Sequence, residues 1–113
     1  MISVINGKVE GFLGRGKIYI GRGNISYALG GSVLQNKFTI GKDGKRADVI
    51  SKYRKWLWAE FNKREDVYRE LVRIAEKVKA GEKVQLACWC KPLDCHGDVI
   101  KKCIEWMIQE GLV

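Results

Sequence analysis

The chain has 113 residues, 46% hydrophobic and 30% charged, with four cysteines, one histidine and one proline. That length suits a single domain with one modest core, and the composition excludes a disordered or fibrous chain. No apolar run reaches the roughly 20 residues of a membrane helix, and Met1 to Gly7 lacks the basic and apolar regions of a signal peptide, so a cytoplasmic protein with reduced thiols and no membrane partner is expected.

The formal net charge is +8. Residues 1–50 carry 8 Lys/Arg against 3 Asp/Glu, a net of +5, and residues 51–113 carry 13 against 10, a net of +3. A field of that sign attracts phosphate, whether on a nucleotide or on a nucleic acid. Solubility alone explains the same excess. The Lys, Glu, Ile and Val content also has a thermophile flavour, a setting in which intracellular disulfides are more acceptable.

The segments Ile2–Ile5 and Lys8–Leu13 flank Asn6-Gly7, a strong signal for a two-residue hairpin turn. Residues 1–16 are therefore predicted to be an N-terminal β-hairpin extension at the sheet edge. Lys17–Ile20 reads as a short strand leading into Gly21-Arg22-Gly23-Asn24 and a long loop reaching Asn36. Glycines after a strand let backbone N–H groups approach a phosphate, with Arg22 as the charged arm. There is no Gly-Lys-Ser/Thr and no helix directly after Gly23, so neither a Walker loop nor a dinucleotide fingerprint is present. Turn formation is the plainer reading of the same glycines.

Lys37–Ile40 is read as a further short strand and Gly41–Gly44 as a turn. The spacing of Val49, Ile50, Tyr53, Trp56, Leu57 and Phe61 predicts a helix over Arg46–Asn62. Trp58 points away from that stripe, either to stack a base or to cover a loop of its own chain. A second amphipathic helix is predicted over Glu65–Ala80, closed by Gly81, with a mixed-charge outer face that reads as solvated. A buried strand follows at Val84–Cys88, and a last helix over Asp98–Glu110, with Asp98 as N-cap or in the first turn. That last helix is apolar over a wide arc, which is consistent with deep burial or with a homodimer interface.

The expected architecture is α/β: a small, mostly parallel sheet with the N-terminal hairpin, flanked by three helices in a Rossmann-like three-layer arrangement. With Ile18–Ile20 and Val84–Cys88 as parallel neighbours, the loop at Gly21–Asn24 and the loop at Cys90–His96 leave the sheet at the same carboxyl edge. Open α/β sheets bind ligands at that edge. A basic, Gly-rich segment and a thiol-rich segment would then line one cleft.

The thiol-rich segment admits several readings. Cys95 or His96 at a helix N-terminus would be a catalytic thiolate or imidazole, with Asp98 orienting His96. Arg22, Gly23, Asn24 and Asn36 would hold a phosphate, with Cys90 beside them. Cys88, Cys90, Cys95 and His96 also lie close enough in sequence to suggest zinc, but Cys-x-Cys is tighter than usual and adjacent Cys95 and His96 diverge, so zinc is the less favoured alternative. In the bland reading Cys88 and Cys103 are core residues, His96 braces a turn, and Cys90 and Cys95 form a disulfide if the host is hot. A different class of function is a nucleic-acid-binding or nucleotide-sequestering protein that uses Arg15, Lys17, Arg22, Lys37, Lys42, Lys45, Arg46 and Trp58.

Residues 17–107 resemble the small prokaryotic and phage family known as domain of unknown function 4326. The resemblance rests on Ile18-Tyr-Ile-Gly-Arg22, Gly31-Ser-Val-Leu-Gln-Asn-Lys-Phe-Thr-Ile-Gly41, Ile50-Ser-Lys-Tyr-Arg-Lys-Trp-Leu57 and, most specifically, Cys88-Trp-Cys-Lys-Pro-Leu-Asp-Cys-His-Gly-Asp98. Val33, Gln35 and Lys37 stand where Pro, Gly and Pro are common in the family. The resemblance implies that the Cys/His segment and the loop carrying Ser32, Asn36 and Phe38 form the site. It implies no reaction. Taken together, the sequence leads to the expectation of a nucleotide-like, phosphate-bearing ligand, with catalysis left open.

Overall fold

The computed structural model describes residues 1–113. Three strands form one sheet: β1 (Ile2–Asn6), β2 (Lys17–Tyr19) and β3 (Val84–Cys88), in the order β1-β3-β2. All pair in parallel, with Ile2 opposite Val84 and Ile18 opposite Leu86. Four α-helical segments and one 3-10 turn (Ile25–Tyr27) complete the chain: a single turn α1 (Gly7–Glu10), then α2 (Arg46–Lys63), α3 (Asp66–Lys79) and α4 (His96–Gln109). No helix is long and apolar enough to cross a membrane.

A parallel sheet must be covered on both faces. Ile2, Ile20, Val84, Leu86 and Cys88 enter the main core with Tyr53, Leu57 and Phe61 of α2, Leu71 and Ile74 of α3, and Ile100, Ile104 and Met107 of α4. The opposite face, with Ile5 and Ala87, is covered by Phe12 and Leu29, flanked by Tyr19 and Trp89. The three long helices thus gather on one face. The third layer is an aromatic loop layer, not the helical layer expected of a doubly wound sheet.

The predicted N-terminal hairpin does not form. Asn6 Oδ1 accepts a hydrogen bond from Lys8 N (2.9 Å) and caps α1, which Gly11 N closes onto Gly7 O (2.8 Å). A local side-chain bond of this kind competes with a tight turn. Gly7 is needed because a Cβ there would lie 2.0 Å from the Phe12 ring. The chain then crosses β3 and enters the sheet on its far side as β2. Pairing each short strand with the apolar β3 buries Ile2 and Ile5, which a solvent-edge hairpin would not.

Two further expectations are corrected. Residues 37–40 form no strand; the backbone there is held by side chains of Arg22 and Asp43. The last helix begins at His96, two residues before its expected start, with Cys95 as the N-cap; Asp98 sits in the first turn, one of the two places expected for it. Asp98 Oδ2 reaches back to accept from Cys95 N at 3.1 Å, satisfying one N–H at the helix entry.

Candidate functional site

A cleft of about 560 Å³ opens at the carboxyl edge of the sheet. The exit of β2 supplies Gly21, Arg22, Gly23 and Asn24. The following loop supplies Asn36 and Phe38, α2 supplies Arg46, and the exit of β3 supplies Trp89, Cys90, Asp94, Cys95 and His96. The two distant segments expected to share an edge do so, because β2 and β3 are parallel neighbours.

Arg22 shapes one wall. Its Nε donates to Asn36 O (2.9 Å), and its Nη2 donates to Phe38 O (3.3 Å) and Thr39 Oγ1 (3.2 Å). Asn36 Oδ1 in turn accepts from Phe38 N (2.9 Å). This fan of bonds shapes a loop that lacks rigid residues at 33, 35 and 37. Arg46, on the opposite wall, donates from Nη1 to Asp94 O (2.8 Å). Neither arginine meets a carboxylate. The floor is an aromatic chain: Trp89 Nε1 donates to Tyr19 Oη (2.8 Å), and Tyr19 Oη donates to Arg22 O (2.5 Å).

His96 is buried at the start of α4, with its ring edge-on to Tyr53 at 5.0 Å. Its Nε2 lies 2.8 Å from Ile20 O. A carbonyl only accepts, so Nε2 carries the proton and Nδ1 keeps its lone pair. Burial pushes the imidazole pKa below its ordinary value, the nearby charge of Arg22 adds to this, and the Ile20 bond only partly opposes it. The side chain is therefore a neutral base with a fixed tautomer.

The thiols are arranged differently from expectation. Cys95 Sγ lies 3.3 Å from Cys88 Sγ, both buried. Cys88 receives that S–H together with the N–H groups of Cys90 and Lys91, and its pKa falls to about 6 despite burial. Cys95 moves the opposite way: sharing its proton with Cys88 and losing water both hold its thiol well above the ordinary range. Placing Cys95 at a helix N-terminus was expected to acidify it, but the proton shared with Cys88 and burial outweigh the bond from the Gly97 N–H. The low-pKa sulfur is Cys88, expected as a core residue or, less favoured, as a zinc ligand. Cys90 is half-buried in the cleft.

Asp98 does not orient His96. Burial acts to raise its pKa, but the bond from Lys91 Nζ (2.5 Å) and the Cys95 N–H outweigh it and hold the carboxyl below its usual value. Ser32 also stands apart: its Oγ accepts from Leu34 N (3.0 Å), and it lines a separate hollow with Gln35 and Lys37. No group of three His, Cys, Asp or Glu side chains is arranged to hold a metal ion. The residues nearest to such a set are Cys88 and Cys95. Tyr19 and Trp89 escaped sequence reasoning as wall residues, because on a strand with two buried faces no alternation distinguishes a core aromatic from a cleft aromatic.

Over residues 8–106 the chain matches the family described as Domain of unknown function (DUF4326). The chain belongs to that family. Its matched span includes most of α1, all of the cleft and most of α4 of this DUF4326 domain. No curated protein and no solved structure matches the chain.

Proposed function

We propose that this DUF4326 domain binds a phosphate-bearing, nucleotide-like ligand in the cleft at the sheet's carboxyl edge. The observation that carries this reading is the pair Arg22 and Arg46. They stand on two walls of one cleft, each bonded to carbonyl or hydroxyl oxygens and neither neutralised by a carboxylate. Asp94 is the one acid lining the same space, so the cleft keeps a net positive field. Phosphate would meet the two guanidinium groups, with Gly23 and Asn24 close by. Phe38 and Trp89 offer flat apolar surface for a base. His96 Nδ1 is the group suited to accept a proton from a bound ligand, and Cys90 is a half-buried thiol lining the same cleft.

Isothermal titration against a panel of nucleoside mono-, di- and triphosphates tests the proposal, with Arg46→Gln as the variant. Arg46 supports less of the loop than Arg22 does, so its loss perturbs charge more than shape. Affinity for at least one nucleotide, reduced roughly tenfold or more in Arg46→Gln, is the expected result. No binding by any nucleotide, or equal binding by the variant, overturns it.

A further inference from the structure

A second depression lies between α2 and α4, away from the cleft. It has a volume of about 140 Å³ and is lined by Leu57, Trp58, Phe61, Val99, Cys103 and Trp106, with Arg54 and Lys102 at its sides. Trp58 is 45% exposed, unusual for so large an apolar side chain. It meets Trp106 edge-on at 5.1 Å and Phe61 edge-on at 5.6 Å, so it packs on neighbouring helix side chains. Neither Arg54 nor Lys102 forms an ion pair, and no acid lines this groove.

The groove is not isolated. A shallow third depression shares Ile50, Asp94 and Cys95 with the cleft, and Arg54, Val99 and Lys102 with the groove. The three form one track along the seam between α2 and α4. Four cations, Arg22, Arg46, Arg54 and Lys102, stand along it. The acids on the same track are Asp94 and Asp98, and Asp98 is already bonded to Lys91.

We infer that the ligand is a single-stranded nucleic acid, with one nucleotide in the cleft and a neighbouring base stacked in the Trp58 groove. This rests on the cleft being a nucleotide site. The alternation of flat aromatic surface with unpaired cations matches the alternation of base and phosphate along a single strand. A free mononucleotide would fill only the cleft and leave the groove unused. A duplex keeps its bases stacked on each other. A second copy of this chain is the poorer occupant, since a two-fold contact would bring two sets of unpaired Arg54 and Lys102 together with no acid in the groove to offset them.

The experiment is fluorescence-anisotropy binding of a labelled short oligothymidine, competed by thymidine monophosphate, across a salt series. Wild type is compared with Trp58→Ala, Trp58→Phe and the double variant Arg54→Gln/Lys102→Gln. The oligonucleotide is expected to bind more tightly than the mononucleotide. Trp58→Ala should weaken it roughly 5- to 150-fold, Trp58→Phe should retain most of the affinity, and neither should change mononucleotide binding. The double variant should flatten the log–log salt dependence by about 1.4, from two lost phosphate contacts. Oligonucleotide binding insensitive to Trp58→Ala, or no tighter than that of the mononucleotide, overturns the inference while leaving the cleft reading intact. Failure of the oligonucleotide to bind at all overturns the inference, and the cleft reading then stands or falls on the nucleotide panel. A dimer in analytical ultracentrifugation that dissociates in Trp58→Ala gives the groove to a second copy and also overturns the inference.

Discussion

Replacing Tyr53 by Phe removes one oxygen from the centre of the core and leaves the ring in place. Tyr53 and Leu34 are both 0% exposed, and Tyr53 Oη donates to Leu34 O at 2.6 Å. This bond spans from α2 to the loop that forms a cleft wall. In Tyr53→Phe the Leu34 carbonyl would be buried without that partner, which costs about 1–3 kcal/mol. Relief from burying the hydroxyl offsets part of this, so a net loss of about 1–2 kcal/mol is expected. For a chain of this size that corresponds to a fall in Tm of roughly 4–8 °C. The edge-on contact with His96 is made by the ring and persists. The matched control is Tyr27→Phe, whose side chain is 46% exposed, where a change within ~0.5 kcal/mol is expected. Urea unfolding followed by circular dichroism measures the loss, and hydrogen exchange near Leu34 shows whether it is local. A Tyr53→Phe midpoint equal to that of Tyr27→Phe would refute the idea that this bond anchors the wall.

Three other outcomes follow from the same geometry. The depressed His96 pKa means that folded and unfolded chains are both neutral there well above the ordinary value of 6.5, where its contribution is complete. As pH falls below that value the unfolded chain takes the proton first, and stability drops by up to about 1.4 kcal/mol per unit until the folded imidazole titrates. Urea midpoints from about pH 7 down to about pH 5 should therefore fall more steeply in wild type than in His96→Asn, and parallel curves would contradict the assignment. The Cys88–Cys95 pair should give a thiolate absorbance step near pH 6 that moves upward in Cys95→Ala, since the donated S–H is the largest stabiliser of the Cys88 anion. A wild-type protein with no thiolate below the ordinary thiol range would argue against that arrangement. At Gly97 a Cβ would lie 2.8 Å from Val4 Cγ1 and 2.9 Å from Ile20 Cδ1, so Gly97→Ala should lose about 1–3 kcal/mol despite the better helix propensity of Ala. A more stable Gly97→Ala protein would show that α4 does not approach the sheet this closely.

Periodicity made the long helices legible, because one buried stripe on α2 and another on α3 each repeat at the helical spacing whatever they pack against. The apolar run at Val84–Cys88 likewise identified the central strand, and a strand joined to a later one through helices implied parallel pairing. From that alone the cleft edge could be located, with Arg22, Cys90, Cys95 and His96 along it, while Phe38 was implied by the family resemblance. The hairpin failed because Asn6-Gly7 suits a capped helical turn as well as a tight hairpin turn. Burial of Ile2 and Ile5 against β3, whose paired residues lie 82 positions away in sequence, decided between them.

Spacing in the chain settles which residues can share a helix face or a sheet edge, since both repeats are short-range properties of the backbone. It does not settle which atoms touch. That Cys88 and not Cys95 carries the low pKa depends on two N–H groups and one S–H converging on a single sulfur. The departure of Asp98 from His96 to Lys91, and the single seam joining the cleft to the Trp58 groove, depend on how α4 seats against β1, β3 and α2. Hydrogen bonding and desolvation act over a few ångströms, so these features are fixed only when the whole chain has packed.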